Sequence, residues 1–430
     1  MKKKYRIILY TSIFLLCVVA SIILVVKKSN SVYEEESKPK VVKHKSMLSM
    51  NLEQTAGSGD YKTVTQSSSW PTEGYKFNAE LSKCENGSTL SWDDTKKAVI
   101  VSGNLSDKCY VYFDIYQPTL AEYIKSQYTG TQGENNIYYH DSDLANGAGD
   151  NSYRYAGANP NNFVCFGTTE SPCPIDNLYR IIGVFGENYH GANGKQLVKL
   201  IKYDYMTTDE LGTDGDYSQT YKEWGMDSTY KGTYGDGERI GVYYWNYKAT
   251  GSATNTWSTS LLNKTNLNTN FINNIGTTWA NKIATVTWKV GGNTLANIGT
   301  KTSSVAYTNE ITNPVTTNTT DNATTYSAKI GLMYVSDYGF AASPDAWTLT
   351  MSSYNNTTAT NNNWMYMGLY EWTVSRFADV SDHAFNVVSD GGVYNDYVHN
   401  NLGVRASFNL ESSVSYVSGS GSMSDPIVIN

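Results

Sequence analysis

The sequence predicts an α+β protein: an N-terminal transmembrane helix, a small β module, then a larger antiparallel-sheet domain with long loops. Three observations carry this. Residues 7–26 form a predominantly apolar run flanked by Arg6 and Lys27. From Tyr75 onward, short stretches alternate apolar and polar residues, the period-2 sign of half-buried strands. Asn86-Gly87 and Asp390-Gly391-Gly392 supply the positive-φ residues that tight hairpins need.

As a helix, residues 7–26 are long enough for the ~30 Å hydrocarbon core. The run exceeds the usual signal-peptide core of about 7–15 residues, although a cleaved signal is the other reading. Lys2, Lys3, Lys4 and Arg6 favour a cytoplasmic start. The expectation is a cytoplasmic tail and anchor over 1–28, a single pass through the cell membrane, and the bulk of the chain outside. Residues 29–59, with Glu34 to Glu36 and scattered lysines, read as a flexible stalk. Only 17% of residues are charged while 35 are tyrosine, a profile of β-rich extracellular modules that opposes both a charged cytosolic enzyme and disorder. Net charge is −7 with no basic stripe in the body, so no nucleic-acid partner is expected.

Residues 60–117 read as the small β module, with alternation through Tyr75, Phe77, Ala79 and Leu81. Four body cysteines allow three pairings. Local bridges, Cys84–Cys109 and Cys165–Cys173, are expected in an oxidising exterior. Zinc is the other use of these residues, but there is no C-x-x-C and no nearby histidine pair. So small a module gains from a staple. Residues 118–162 read as a helix over Thr119 to Tyr128, opened by a Thr119/Glu122 capping box, followed by loops.

Residues 163–430 form the larger domain. Strands are expected over 177–185, 196–203, 283–290 and 329–335, a broken helix over 257–275, and a closing meander of three antiparallel strands over 383–388, 393–398 and 404–410. Asp209, Glu210, Asp214 and Asp216 offer oxygen donors for calcium, but the EF-hand spacing and its terminal glutamate are missing, so a solvated loop and no metal or cofactor are expected. Asp382-His383 and His399 with Ser375 or Ser389 contain the residue types of a Ser/His/Asp set, yet no Gly-x-Ser-x-Gly accompanies them and no catalytic residue is expected. Tyrosines near the C-terminus give rigid amphipathic contact area. The candidate binding residues are Tyr370, Asp379, Asp382, Tyr394, Asn395, Tyr397 and His399; alternation puts Tyr394 and Tyr397 on opposite strand faces. Trp372, Gly391, Gly392 and Arg405 are expected to be structural.

A series of landmarks adds a resemblance: Trp257 with Leu267, Asn268 and Phe271; Ile330 to Ser336; Trp372 to Arg376; Asp390-Gly391-Gly392; and Gly403-Val404-Arg405. In that order they resemble a family of surface domains of low-GC Gram-positive gut bacteria with a C-type-lectin-like or formylglycine-generating-enzyme-like fold. The resemblance implies a structural Arg405 bonding carbonyls of neighbouring loops. The enzyme branch needs cysteines that are absent after Cys173, and the calcium-dependent sugar motifs are absent as such. The implied function is non-catalytic surface recognition of an extracellular protein or glycan. The alternatives are a self-associating structural subunit and an unrecognised enzyme on the same scaffold.

Overall fold

The computed structural model describes residues 48–64, 69–71, 74–186, 190–213, 223–225, 230–235, 238–248, 253–314 and 324–430. They are mostly strand with short helices, and they divide into two units, Met1–Gln117 and Pro118–Asn430. Among the described residues no helix is long and apolar enough to cross a membrane. The expected fold class is corrected to that extent, with no transmembrane element among the described residues; the run 7–26 on which it was placed lies outside them.

The first unit is built on β1 (Leu48–Glu53), β2 (Tyr61–Val64), β3 (Tyr75–Cys84), β4 (Thr89–Asp93), β5 (Ala98–Ser102) and β6 (Cys109–Ile115). The sheet order is β2-β1-β6-β3, with β4-β5 a separate hairpin. The expected stalk, 29–59, is corrected by β1, which pairs in parallel with β6. Leu48, Met50 and Leu52 alternate toward one face, and Met50 is buried there with Val111 and Phe113. Trp70, Phe77 and Trp92 pack their rings within 6 Å of Phe113. So few buried apolar residues make the Cys84–Cys109 bridge valuable; it joins an in-register pair of neighbouring strands.

The second unit starts at α1 (Leu120–Ser126), where the Thr119/Glu122 capping box is formed on both sides. The loops expected after that helix, within 118–162, are corrected by β7 (Ile137–His140) and β8 (Ser152–Tyr155), which join β9 (Phe163–Cys165), β10 (Leu178–Phe185) and β11 (Leu197–Lys202). With β16 (Ile330–Gly331) and β21 (Ser407–Asn409) the sheet runs β16-β21-β11-β10-β8-β7, and β9 also pairs with β10. Gly183 marks a register shift in β10; a Cβ there would lie 2.2 Å from the Tyr153 carbonyl oxygen. The Cys165–Cys173 bridge closes a short loop at β9.

A second sheet runs β12-β13-β20-β17-β18-β19: β12 (Glu223–Gly225), β13 (Arg239–Tyr243), β17 (Glu371–Arg376), β18 (His383–Val387), β19 (Val393–Tyr397) and β20 (Leu402–Gly403). Short hairpins β14-β15 (Val286–Lys289, Thr325–Ala328) and β22-β23 (Tyr416–Ser418, Val428–Ile429) complete the strands. The three-strand meander is corrected. β18 and β19 do form the antiparallel hairpin. The third run splits instead: β20 pairs with β13 and, in parallel, with β17, and β21 crosses to β11 in the other sheet. Residues 404–406 therefore stitch the two sheets together, and all three are buried. The expected strand 329–335 is strand only over β16; Val335 opens helix α2 (Val335–Ala341). The core between these layers holds Trp245, Trp257, Trp288, Trp347 and Trp372.

Candidate functional site

The β18-β19 hairpin turns at Gly391, whose φ of +96° and 2.6 Å approach of a Cβ to Thr360 Cγ2 both require glycine. Gly392 has no positive φ; its constraint is packing beside the Tyr394 ring. The register sets His383 opposite Tyr397, at the end of the hairpin away from the turn. There four side chains meet. Asp382 Oδ1 lies 2.7 Å from His383 Nδ1. The Tyr397 ring centroid is 4.1 Å from that of His383 and 5.2 Å from that of His399. Tyr397 is 46% exposed, His399 is exposed, and His383 and Asp382 are half-buried.

The cluster is held from behind. Asp396 Oδ1 accepts from the Tyr397 backbone N–H at 2.8 Å and from the Asn400 side chain at 2.6 Å, while the Asn400 N–H donates to the Tyr397 carbonyl. Asn255 is buried below, its side-chain amide facing the carbonyls of Phe377, Val380 and His383. That loop also carries the exposed Asp379. The structure thus groups Asp382, Tyr397 and His399, adds His383, and leaves Asp379 in the adjoining loop. Tyr394, 40% exposed, sits opposite Asn386 and nearer the turn, with the half-buried Asn395 between the two regions. Tyr370 is exposed just before β17. The seven candidates are not one patch.

The expected structural residues are buried. Trp372 donates from Nε1 to the Tyr243 carbonyl. Arg405, at the crossover between the sheets, meets the Glu371 carboxylate through Nε at 2.8 Å and Nη2 at 2.9 Å, and donates to the Met365 carbonyl. Its main partner is a buried carboxylate rather than loop carbonyls. Ser375 is buried and its hydroxyl donates to Glu310 rather than to His383, while the Ser389 backbone carbonyl accepts from Tyr366. Glu210 completes a capping box with Thr207 and pairs with Lys202 at 2.6 Å. Asp214 and Asp216 lie outside the described residues. No group of three or more His, Cys, Asp or Glu among the described residues could hold a metal ion.

One cluster had no signal in the sequence. Inside the second unit, Arg154 Nη2 pairs with Asp150 Oδ2 at 2.7 Å, and Lys199 Nζ pairs with Asp337 Oδ2 at 2.5 Å. Arg154 Nη1 lies 3.9 Å from Asp337 Oδ1. His190 sits against Asp150 and Arg154. Burial pulls the His190 imidazole down to about 4, against the hydrogen bond it donates to the Asp150 carboxylate. Burial also pushes the Glu310 carboxyl up to about 7, although backbone N–H groups of Val335 and Ser336 favour its charged form. All these groups are almost wholly buried, so the charges are balanced internally.

No family model, curated protein or solved structure matches this chain.

Proposed function

We propose that the second unit is a non-catalytic recognition module of an extracellular protein, and that its binding surface centres on Asp382, His383, Tyr397 and His399. The carrying observation is the braced, solvent-facing Tyr397 ring between two imidazoles, with a carboxylate at hand. A rigid aromatic with adjacent polar groups gives contact area at small entropic cost, which suits a glycan or a protein surface. The two disulfides support an oxidising compartment. The C-type-lectin-like reading of the unit belongs to this proposal, with Trp372 buried as that reading expects.

Strand-to-strand self-association has less support. At the edge strand β19, the Tyr397 N–H and C=O are already taken by Asp396 and Asn400. At the edge strand β7, the Gln132 side chain occupies both the N–H and the C=O of Tyr139. Both edges are blunted against strand addition. The test is a glycan and protein array probed with the purified chain. Saturable binding that falls at least tenfold in Tyr397→Ala, and less in Tyr394→Ala, is expected. Binding unchanged in Tyr397→Ala removes the proposed surface; concentration-dependent assembly or turnover in a hydrolase screen would favour the other two classes.

A further inference from the structure

We propose that Lys199 and Asp337 are the two halves of an intramolecular isopeptide bond that the folded chain forms by itself. The pair joins β11 to α2 across 138 residues of sequence, with Nζ 2.5 Å from Oδ2. Both side chains are at most 1% exposed. Nζ lies 4.3 Å from the Tyr334 ring centroid, 5.2 Å from Trp288 and 6.0 Å from Phe185. An amine and a carboxyl group so held are near-attack partners, and effective molarities in such arrangements reach roughly 10⁵–10⁸ M. Water, which would favour hydrolysis, is kept out by the rings.

The charge environment pulls both ways: burial opposes the charged Asp337 carboxylate, but Lys199, His190 and Arg154 outweigh it and hold that carboxyl below its ordinary value. Burial pulls the Lys199 ammonium below its ordinary value, against the attraction of Asp337. Nζ passes one proton to Oδ2, giving an amine and a carboxylic acid. The nitrogen lone pair then attacks Cγ, and the carbonyl electrons move onto Oδ1. That oxygen has no hydrogen-bond partner among the described residues and lies 3.9 Å from Arg154 Nη1, which also has none. The guanidinium is thus placed to stabilise the developing oxyanion. Collapse restores the carbonyl and breaks the Cγ–Oδ2 bond. Oδ2 leaves as water, carrying the proton it first took and a second one from nitrogen. One C–N bond forms, one C–O bond breaks, one water is released, and no oxidant is needed. Glu310 occupies the same helix start, accepting from Val335 and Ser336 while Asp337 accepts from Tyr334. Burial raises the Glu310 carboxyl to about 7, so near neutral pH only part of the population carries a second negative charge beside the pair.

The experiment is mass spectrometry of the purified full chain, denatured and with disulfides reduced, followed by tryptic mapping. The chain is expected to be lighter by one water. One branched peptide should join the Lys199 and Asp337 segments, with no cleavage after Lys199. Lys199→Arg and Asp337→Ala should each lose the branched peptide. The wild-type map decides the matter even if a variant misfolds. Cleavage after Lys199 with no branched peptide overturns the proposal. So does a water loss mapped elsewhere, such as a succinimide at Asp390-Gly391.

Discussion

Replacing Arg405 by alanine separates a sealed ion pair from a decorative one. Arg405 and Glu371 are 1% and 2% exposed. The guanidinium makes two bonds to the carboxylate and one, at 2.7 Å, to the Met365 carbonyl. Removing one partner of a buried pair leaves the other charge uncompensated and costs about 3–5 kcal/mol. With a urea m-value of about 3 kcal/mol/M, as for a larger domain, the midpoint falls by about 1–1.7 M. Near-ultraviolet circular dichroism of the fully buried Trp245, Trp257, Trp288, Trp347 and Trp372 reads this unit within the full chain. The double change Arg405→Met with Glu371→Met should recover most of the loss, because apolar replacement of a whole buried pair is often neutral or stabilising. Arg405→Lys should be intermediate, since an ammonium cannot bridge both oxygens in the same plane. Burial already holds the Glu371 carboxyl high, with Arg405 opposing. Without Arg405 it rises further, so protonation is favoured in the folded state and the deficit should shrink as pH falls from 8 to 5. A midpoint for Arg405→Ala within about 0.3 M of wild type would refute the sealed-pair argument.

Two further outcomes follow. The His190 imidazole is lowered in the folded state to about 4. The unfolded chain therefore binds the proton more readily, and stability should be lost as pH falls from about 6.5 to about 4, by roughly 3 kcal/mol at most; His190→Gln should flatten that part of the pH profile in urea titrations. Gly391→Ala forces a side chain into positive φ against Thr360 and the Tyr354 carbonyl, and should cost about 1–3 kcal/mol by the same unfolding measurement.

What the sequence revealed was local. The Thr119/Glu122 box, the β18-β19 hairpin and the two short-range bridges each depend on residues a few to about two dozen positions apart. β1 carried a signal too, in the alternation of Leu48, Met50 and Leu52, but its polar surroundings read as linker. β7 and β8 are four residues each among glycines and asparagines, too short for a period to show. The split of the third C-terminal run was hidden for another reason. β20 and β21 are separated by three buried residues, so a single apolar stretch serves two sheets. The Arg154, Lys199, Glu310 and Asp337 cluster was illegible because each member comes from a different element, and a charged residue inside an apolar strand gives no clue to its partner. In the binding region the register along β19 sets Tyr394 opposite Asn386 and Tyr397 opposite His383, three positions apart on the strand. The bracing by Asn255 came from outside the region altogether.

The second unit begins and ends at the same place. Tyr416 N–H donates to the Pro118 carbonyl, Leu120 N–H to the Val414 carbonyl, and the Tyr123 and Tyr416 rings stack 3.7 Å apart. A pull applied through Pro118 and Asn430 would load these bonds together with those at the end of β23, where the Asn430 N–H donates to the Ser415 carbonyl. The tail also carries tension straight into the first sheet, because Ile427 exchanges backbone bonds with Phe163 and Cys165 of β9.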